Sequence, residues 1–138
     1  MPVKMLAALA VAGTMIAAVP AAMAGEIEEV AAYAPAPGDS AVIYSHRFTA
    51  ETFDEGLRIV KEGFTDAQSE MGQTRKNYFL VDPAQFDVVV VSFFGEDADV
   101  DEWHDFVGRM QVLETLAPMR RAPLEVEPFT VDTITTAP

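Results

Sequence analysis

The chain has 138 residues, half of them hydrophobic, and its 22 acidic and nine basic side chains give a formal net charge of −13. Nucleic acids and anionic membrane surfaces are bound through clustered Lys and Arg, so this charge argues against both as partners. The absence of cysteine excludes disulfides, thiolate catalysis and thiolate metal sites. The length suits one domain, whose stability must come from packing.

The first 24 residues have the three parts of a secretory signal peptide. Lys4 gives a short basic start, an apolar stretch runs from Met5 to Val19, and the small residues of Ala22-Met23-Ala24 suit signal peptidase. A retained membrane anchor fits less well, because the apolar stretch is shorter than the roughly 20 residues that cross a bilayer. We therefore expect cleavage after Ala24 and a periplasmic or secreted protein without a membrane partner after cleavage.

Residues 25–40 are expected to form a leader, since Ala, Pro and acidic residues occur there without a sustained period. The folded domain is expected over residues 41–138. It begins with an alternating segment from Ala41 to Phe48, which predicts a strand. The residues that share one face of this strand are Val42, Tyr44, His46 and Phe48.

A long amphipathic helix is predicted next. Thr52 and Glu55 have the spacing of a capping box, and Gly72 is a typical C-terminal stop. Between them, apolar residues recur at steps of three and four, which gives one buried stripe. The stripe consists of Phe53, Leu57, Val60, Phe64, Ala67 and Met71.

Two β-rich segments follow, from Arg75 to Val81 and from Phe86 to Phe94. The link Asp82-Pro83-Ala84-Gln85 is turn-like, so the two segments are predicted to pair as a hairpin. The second contains four consecutive valines, which is typical of a central strand that is buried on both faces.

A second helix is predicted to start at the cap Asp99, with Glu102 three residues on, and to end before Pro118. Helical spacing places Trp103, Val107 and Met110 on one buried stripe. The last extended segment, Leu124 to Ile134, contains a proline that favours a sheet edge or a bulge.

The predicted element order is therefore β-α-β-β-α-β, which defines a ferredoxin-like α+β fold. This fold has an antiparallel four-stranded sheet with two helices on one face. Too many strand residues on both faces are apolar for the second face to meet water. We therefore expect a homodimer in which two sheets close into a barrel around a shared or paired cavity.

With this order, the chain resembles the dimeric α+β barrel superfamily and, within it, the antibiotic biosynthesis monooxygenase-like domains. The similarity rests on the strand VVVVSFF, the acidic turn after it, and His104 at the position of those domains' helical His. Phe93 or Phe94 stands where they often have Trp. Gly108-Arg109-Met110 departs from their Ser-Pro-His-like stretch. The similarity covers about Ala41 to Thr133.

Such domains include cofactor-free oxygenases of phenols and quinols, haem-degrading enzymes and members with no known activity, so the resemblance implies one of these three possibilities. Trp103 matches a helical Trp of the haem-degrading branch. The axial His of that branch, however, would fall here on Val112, Leu113 or Glu114. That difference argues against haem breakdown.

His46 and His104 are the only imidazoles, and each is a candidate catalytic base or a half-buried structural residue. The candidate ligand-binding residues are Tyr44, Asn77, Tyr78, Phe94 and Trp103. Asn77 and Tyr78 are neighbours on a strand, so only one of them can face a cavity. The helical spacing of Trp103 with Val107 and Met110 favours a core position for it.

The acids Asp97, Asp99 and Asp101 alternate as at the start of a calcium loop, but Glu102 stands where Gly is needed. No metal site and no cofactor are predicted. Two functions remain open. The first is a homodimer that binds a small apolar or aromatic ligand and oxygenates a phenol or quinol without a cofactor. The second is a non-catalytic binding or structural module, including haem binding without degradation.

Overall fold

A computed structural model describes residues 33–72, 75–95 and 98–138, and for Arg75 the backbone alone. These residues belong to the unit Tyr33–Pro138. The predicted signal peptide and the leader as far as Ala32 lie outside the described residues. Within the described ranges, no helix is both long and apolar enough to cross a membrane.

Four antiparallel strands form one sheet in the order β2-β3-β1-β4. The strands are β1 (Ser40–Arg47), β2 (Arg75–Asp82), β3 (Asp87–Phe94) and β4 (Glu125–Thr130). The valine-rich β3 is a central strand, as predicted. β4 lies at the edge, where Pro128 removes no hydrogen bond that the sheet needs. β4 is shorter than the expected segment from Leu124 to Ile134.

The helices cover one face of this sheet, which confirms the ferredoxin-like α+β fold. They are α1 (Phe53–Met71), α2 (Val100–Asp105) and α3 (Val107–Leu116), and a 3-10 turn over Ala117–Met119 follows. α1 ends at Gly72 in the left-handed conformation with φ 82°, as its sequence predicted. The core joins helix residues such as Val60, Trp103 and Leu116 to alternate residues of β1 and β3.

The second helix differs from the prediction, because it is broken at Phe106 (φ −66°, ψ 129°). One extended residue resets the helical phase, so Trp103 stays buried while Val107 and Met110 are 65% and 50% exposed. The predicted common stripe of these three residues is therefore wrong. The ring of Phe106 stacks on Trp103 and lies against Gly108, where a Cβ would approach it to 2.7 Å.

The capping predictions have different outcomes at the two helix starts. Asp99 caps α2 as expected, because its side chain accepts from the backbone N–H of Glu102 at 3.1 Å. Thr52 makes no side-chain cap at α1. Its Oγ1 instead donates to the carbonyl of Met119 at 2.7 Å, and Glu55 pairs with Arg58. The long-range bond to Met119 thus replaces the predicted capping box.

The two faces of the sheet differ in what covers them. Tyr44 and His46 lie on the face that packs against the helices, and both are buried. The strand pairing places another set of residues on the opposite face: Ile43, Tyr78, Leu80, Val89, Val91, Phe93 and Phe129. Tyr78 and Leu80 are 49% and 52% exposed there. We call this set the outer sheet face.

This arrangement corrects the predicted position of the cavity. A second sheet can cover only the outer sheet face, because the protein's own helices already cover Tyr44 and His46. The cavity that Tyr44 and His46 line therefore lies between the sheet and the helices of a single chain.

Candidate functional site

A cavity lies between the helix-covered face of the sheet and helices α1, α2 and α3. One part of its wall is apolar and contains Phe64, Phe79, Val90, Trp103, Leu113 and Leu124. The polar part contains Tyr44, His46, Gln68, Asn77, Ser92 and Arg109. The cavity volume is about 20 Å³, close to that of one water molecule. A ring-sized ligand therefore enters only if lining side chains move.

Tyr44 of β1 is hydrogen-bonded to His104 of α2, with 2.8 Å between Tyr44 Oη and His104 Nε2. The two rings meet edge to face. Burial and the nearby Arg109 lower the pKa of His104, while Asp101 and Asp105 act in the opposite direction. His104 is therefore neutral at neutral pH, and a neutral imidazole can accept a proton from Tyr44 or from a ligand.

His46 lies deeper than His104, at 1% exposure, with its ring near those of Phe48 and Phe64. Its Nδ1 is 3.4 Å from Arg120 Nη2. Because a guanidinium only donates, Nδ1 must accept, and the proton of the neutral ring is then on Nε2. Burial, followed by Arg120 and Arg109, lowers the pKa of His46 to about 3. This environment favours a neutral hydrogen-bond donor over a general base.

Arg109 of α3 brings a buried positive charge to the cavity. Its side chain is 7% exposed, and Nη1 donates to the carbonyl oxygen of His104 at 2.9 Å. Its guanidinium carbon lies 5.8 Å from the ring centre of Tyr44 and 5.9 Å from that of Trp103. Burial lowers the pKa of Arg109, and Tyr44 and Asp105 oppose that shift. A guanidinium nevertheless stays charged at neutral pH.

A chain of side-chain hydrogen bonds occupies another part of the wall. Asn77 Nδ2 donates to Gln68 Oε1, and Ser92 Oγ donates to Asn77 Oδ1, both at 2.7 Å. The side chains of Gln68 and Ser92 are buried. The network fixes the Asn77 amide between α1 and β3 and leaves the side-chain oxygens of Asn77 and Gln68 already engaged as acceptors.

Four of the residues singled out from the sequence line the cavity: Tyr44, His46, Asn77 and Trp103. His104 is joined to them through Tyr44. Asn77, not Tyr78, is the member of that pair that faces inward. Tyr78 lies on the outer sheet face, and Phe94 is fully buried in the core without lining the cavity.

Sequence reasoning missed three polar residues of the wall: Gln68, Ser92 and Arg109. Gln68 follows Phe64 by four positions, which is a usable signal for the same helix face. Arg109 had no such signal, because it faces inward only after the helix phase changes at Phe106. Among the described residues, no cluster of three His, Asp or Glu could hold a metal ion.

No family model matches the sequence, and no curated protein matches it. Solved structures do match the fold. They include antibiotic biosynthesis monooxygenases and a dimeric ferredoxin-like protein, which share this ferredoxin-like α+β fold. The identities are low, so the likeness concerns the fold alone.

Three solved structures illustrate the likeness. Rv0793 from Mycobacterium tuberculosis has a TM-score of 0.60 at 11% identity, over 71% of this chain and 99% of that chain. An antibiotic biosynthesis monooxygenase has a TM-score of 0.57 at 14% identity, over 70% and 99%. A dimeric ferredoxin-like protein from an uncultured marine organism has a TM-score of 0.55 at 10% identity, over 73% and 94%.

Proposed function

We propose that this protein binds a small, largely apolar aromatic molecule in the cavity and oxygenates it, as a phenol or quinol, without a cofactor. The observation that carries the proposal is the hydrogen bond between Tyr44 and His104 beside a cavity with aromatic walls. Such a pair supplies an acid and a base, while the walls exclude water. The similar fold of an antibiotic biosynthesis monooxygenase supports this class of reaction.

In the proposed reaction, His104 takes the phenolic proton, directly or through Tyr44. The deprotonated ring is electron-rich and reacts with molecular oxygen itself. The substrate gains one oxygen atom and loses two hydrogens, and the second oxygen atom leaves as water. His46 then contributes a hydrogen bond and not a base, because its Nδ1 accepts from Arg120.

The proposal includes a homodimer and export. The apolar outer sheet face is the surface that a second copy would cover, and a neighbour in fold is named as dimeric. Export with cleavage after Ala24 rests on the sequence alone. N-terminal sequencing of protein from the periplasmic or secreted fraction tests it, and a chain that still begins with Met1 would reject it.

A non-catalytic binding protein is the second candidate, and the small cavity favours it. Phe79 and Val90 line a cavity of only about 20 Å³. Haem titration tests the haem-binding form of this alternative. A Soret shift that is lost in His46→Ala or His104→Ala would support it, and an unchanged spectrum would remove it.

The test of the oxygenase is oxygen uptake with a panel of phenols and quinols, combined with product mass spectrometry. We expect one oxygen atom to be incorporated into the product for each oxygen molecule consumed. We also expect loss of turnover in His104→Gln, while the exposed control Lys61→Ala keeps it. Binding without any oxygen uptake would select the non-catalytic candidate.

A further inference from the structure

We infer that the ligand of this cavity carries a negatively charged oxygen on its aromatic body, and that Arg109 is the counter-ion of that oxygen. The inference rests on the proposed function insofar as the cavity binds an aromatic ligand. It does not need oxygenation. It narrows the ligand class from apolar aromatic molecules to aromatic carboxylates and to phenols whose oxygen, once deprotonated, lies at Arg109.

The first argument is that the charge in the cavity wall is positive, whereas the net charge of the chain is negative. The chain carries a net charge of −13, yet the described residues that line this wall include a buried guanidinium and no Asp or Glu. Among the described residues, no carboxylate lies within ion-pair distance of Arg109. Asp105, which opposes the lowering of the Arg109 pKa, acts from beyond that distance. A buried charge without a close opposite charge is costly, and natural proteins keep such charges paired or use them.

The second argument is the number of donors that Arg109 offers. A guanidinium has five N–H groups, and the described residues provide one acceptor, the carbonyl oxygen of His104. The rings of Tyr44 and Trp103 stabilise the charge by cation–π contact but do not accept a hydrogen bond in its plane. A carboxylate or phenolate oxygen would satisfy both the charge and the remaining donors.

The third argument is the polarity of the neighbouring groups. His46 lines the cavity as a neutral imidazole, and because its Nδ1 accepts from Arg120, its Nε2 carries the proton and is a donor. Asn77 Oδ1 and Gln68 Oε1 already accept hydrogen bonds within the wall. The cavity wall therefore offers hydrogen-bond donors and few free acceptors. Such a wall suits a ligand with a negatively charged oxygen better than a cationic or donor-rich ligand.

The test compares ligands of similar shape and different charge by calorimetry at mildly alkaline pH, where 4-nitrophenol is ionised. The first pair is 2-naphthoate and 2-naphthamide, and the second is 4-nitrophenolate and 4-nitroanisole. The two pairs distinguish a carboxylate from a phenolate. We expect at least one anion to bind about tenfold more tightly than its neutral partner. The only tryptophan of the chain, Trp103, lines the cavity, so quenching of its fluorescence by the naphthalenes reports occupancy.

The variants separate recognition of charge from support of the fold. Arg109→Gln should remove the preference for the anion and leave the affinity for the neutral partner within about threefold. Arg109→Lys should restore part of the preference. Arg58→Gln is the control, since Arg58 is exposed on α1 and pairs with Glu55 and Glu62. If Arg109→Gln does not fold, Arg109→Lys and the wild-type comparison decide.

Equal binding of anion and neutral partner by the wild type would overturn the inference. Equal losses for both ligands in Arg109→Gln and Arg109→Lys would also overturn it, since they would assign Arg109 a structural role. Anion-selective binding without oxygen uptake leaves the inference standing and rejects only the oxygenase. If no aromatic ligand of either charge binds, both proposals are rejected.

Discussion

Tyr44 Oη and His104 Nε2 lie 2.8 Å apart and join the middle of β1 to the last turn of α2. This bond crosses from sheet to helix beside the cavity, where proton transfer can be shielded from water. Its chemical role is testable separately from its contribution to the fold.

If His104 is the base, His104→Gln lowers the rate of oxygen consumption by about 10²-fold or more, the usual contribution of a positioned base. Tyr44→Phe should lower that rate less if His104 takes the substrate proton directly, and equally if the proton passes through Tyr44. Unfolding in urea should show a loss of about 1 kcal/mol for Tyr44→Phe, since its partly buried hydrogen bond to His104 is removed. Full activity in His104→Gln would show that this residue is not the base.

His46 should make stability depend on pH. Its pKa is about 3 in the folded chain and near 6.5 when unfolded, so between these values the unfolded state binds the extra proton. The free energy of unfolding therefore has its full value above about pH 6.5. It falls towards pH 3 by at most about 1.4 kcal/mol per pH unit. From pH 7 to pH 5, the wild type should lose about 2 kcal/mol more than His46→Gln does. Parallel urea-unfolding results for the two proteins would contradict this.

Gly56 allows α1 to lie directly on Phe48. A Cβ at position 56 would be 2.6 Å from a carbon of the Phe48 ring, which is fully buried and cannot swing away. Gly56→Ala should therefore destabilise the fold by about 1–3 kcal/mol, although alanine favours a helix. Lys61→Ala, an exposed change on the same helix, should stay within about 0.5 kcal/mol. Thermal unfolding of both variants checks the contrast, and a stabilised Gly56→Ala would refute the close contact.

The outer sheet face should hold the dimer together. Leu80→Glu places a charge among apolar residues of that face and should convert a dimer into a monomer in light scattering. Val107→Glu is the matched control, because Val107 is equally apolar and 65% exposed but lies on α3, in the helix layer. A dimer that survives Leu80→Glu but dissociates in Val107→Glu would place the interface on the helices.

The order of elements was predictable from the sequence, because long periodic segments such as Phe53 to Met71 report the burial of a whole helix face. The phase of the second helix was not. The spacing of Trp103, Val107 and Met110 is that of one face of a continuous helix. A single extended residue at Phe106 cannot be recognised from the pattern of apolar residues.

The candidate site was predictable in part for the same reason. Strand alternation placed Tyr44 and His46 on one face, and it required a choice between Asn77 and Tyr78 that only the sheet pairing could make. The side of the sheet that carries the cavity depends on where the helices pack. Arg109 and the amide network could not be foreseen, because their positions depend on contacts between elements distant in the chain.

The break at Phe106 has a geometric consequence for the proposed chemistry. His104 belongs to the helix before the break and Arg109 to the helix after it, so the ψ angle of 129° at Phe106 sets the position of the guanidinium relative to the imidazole. The one hydrogen bond between them, from Arg109 to the His104 carbonyl, holds that joint in place. The backbone conformation of Phe106 thus fixes the position of the proposed base relative to the proposed anion-binding group.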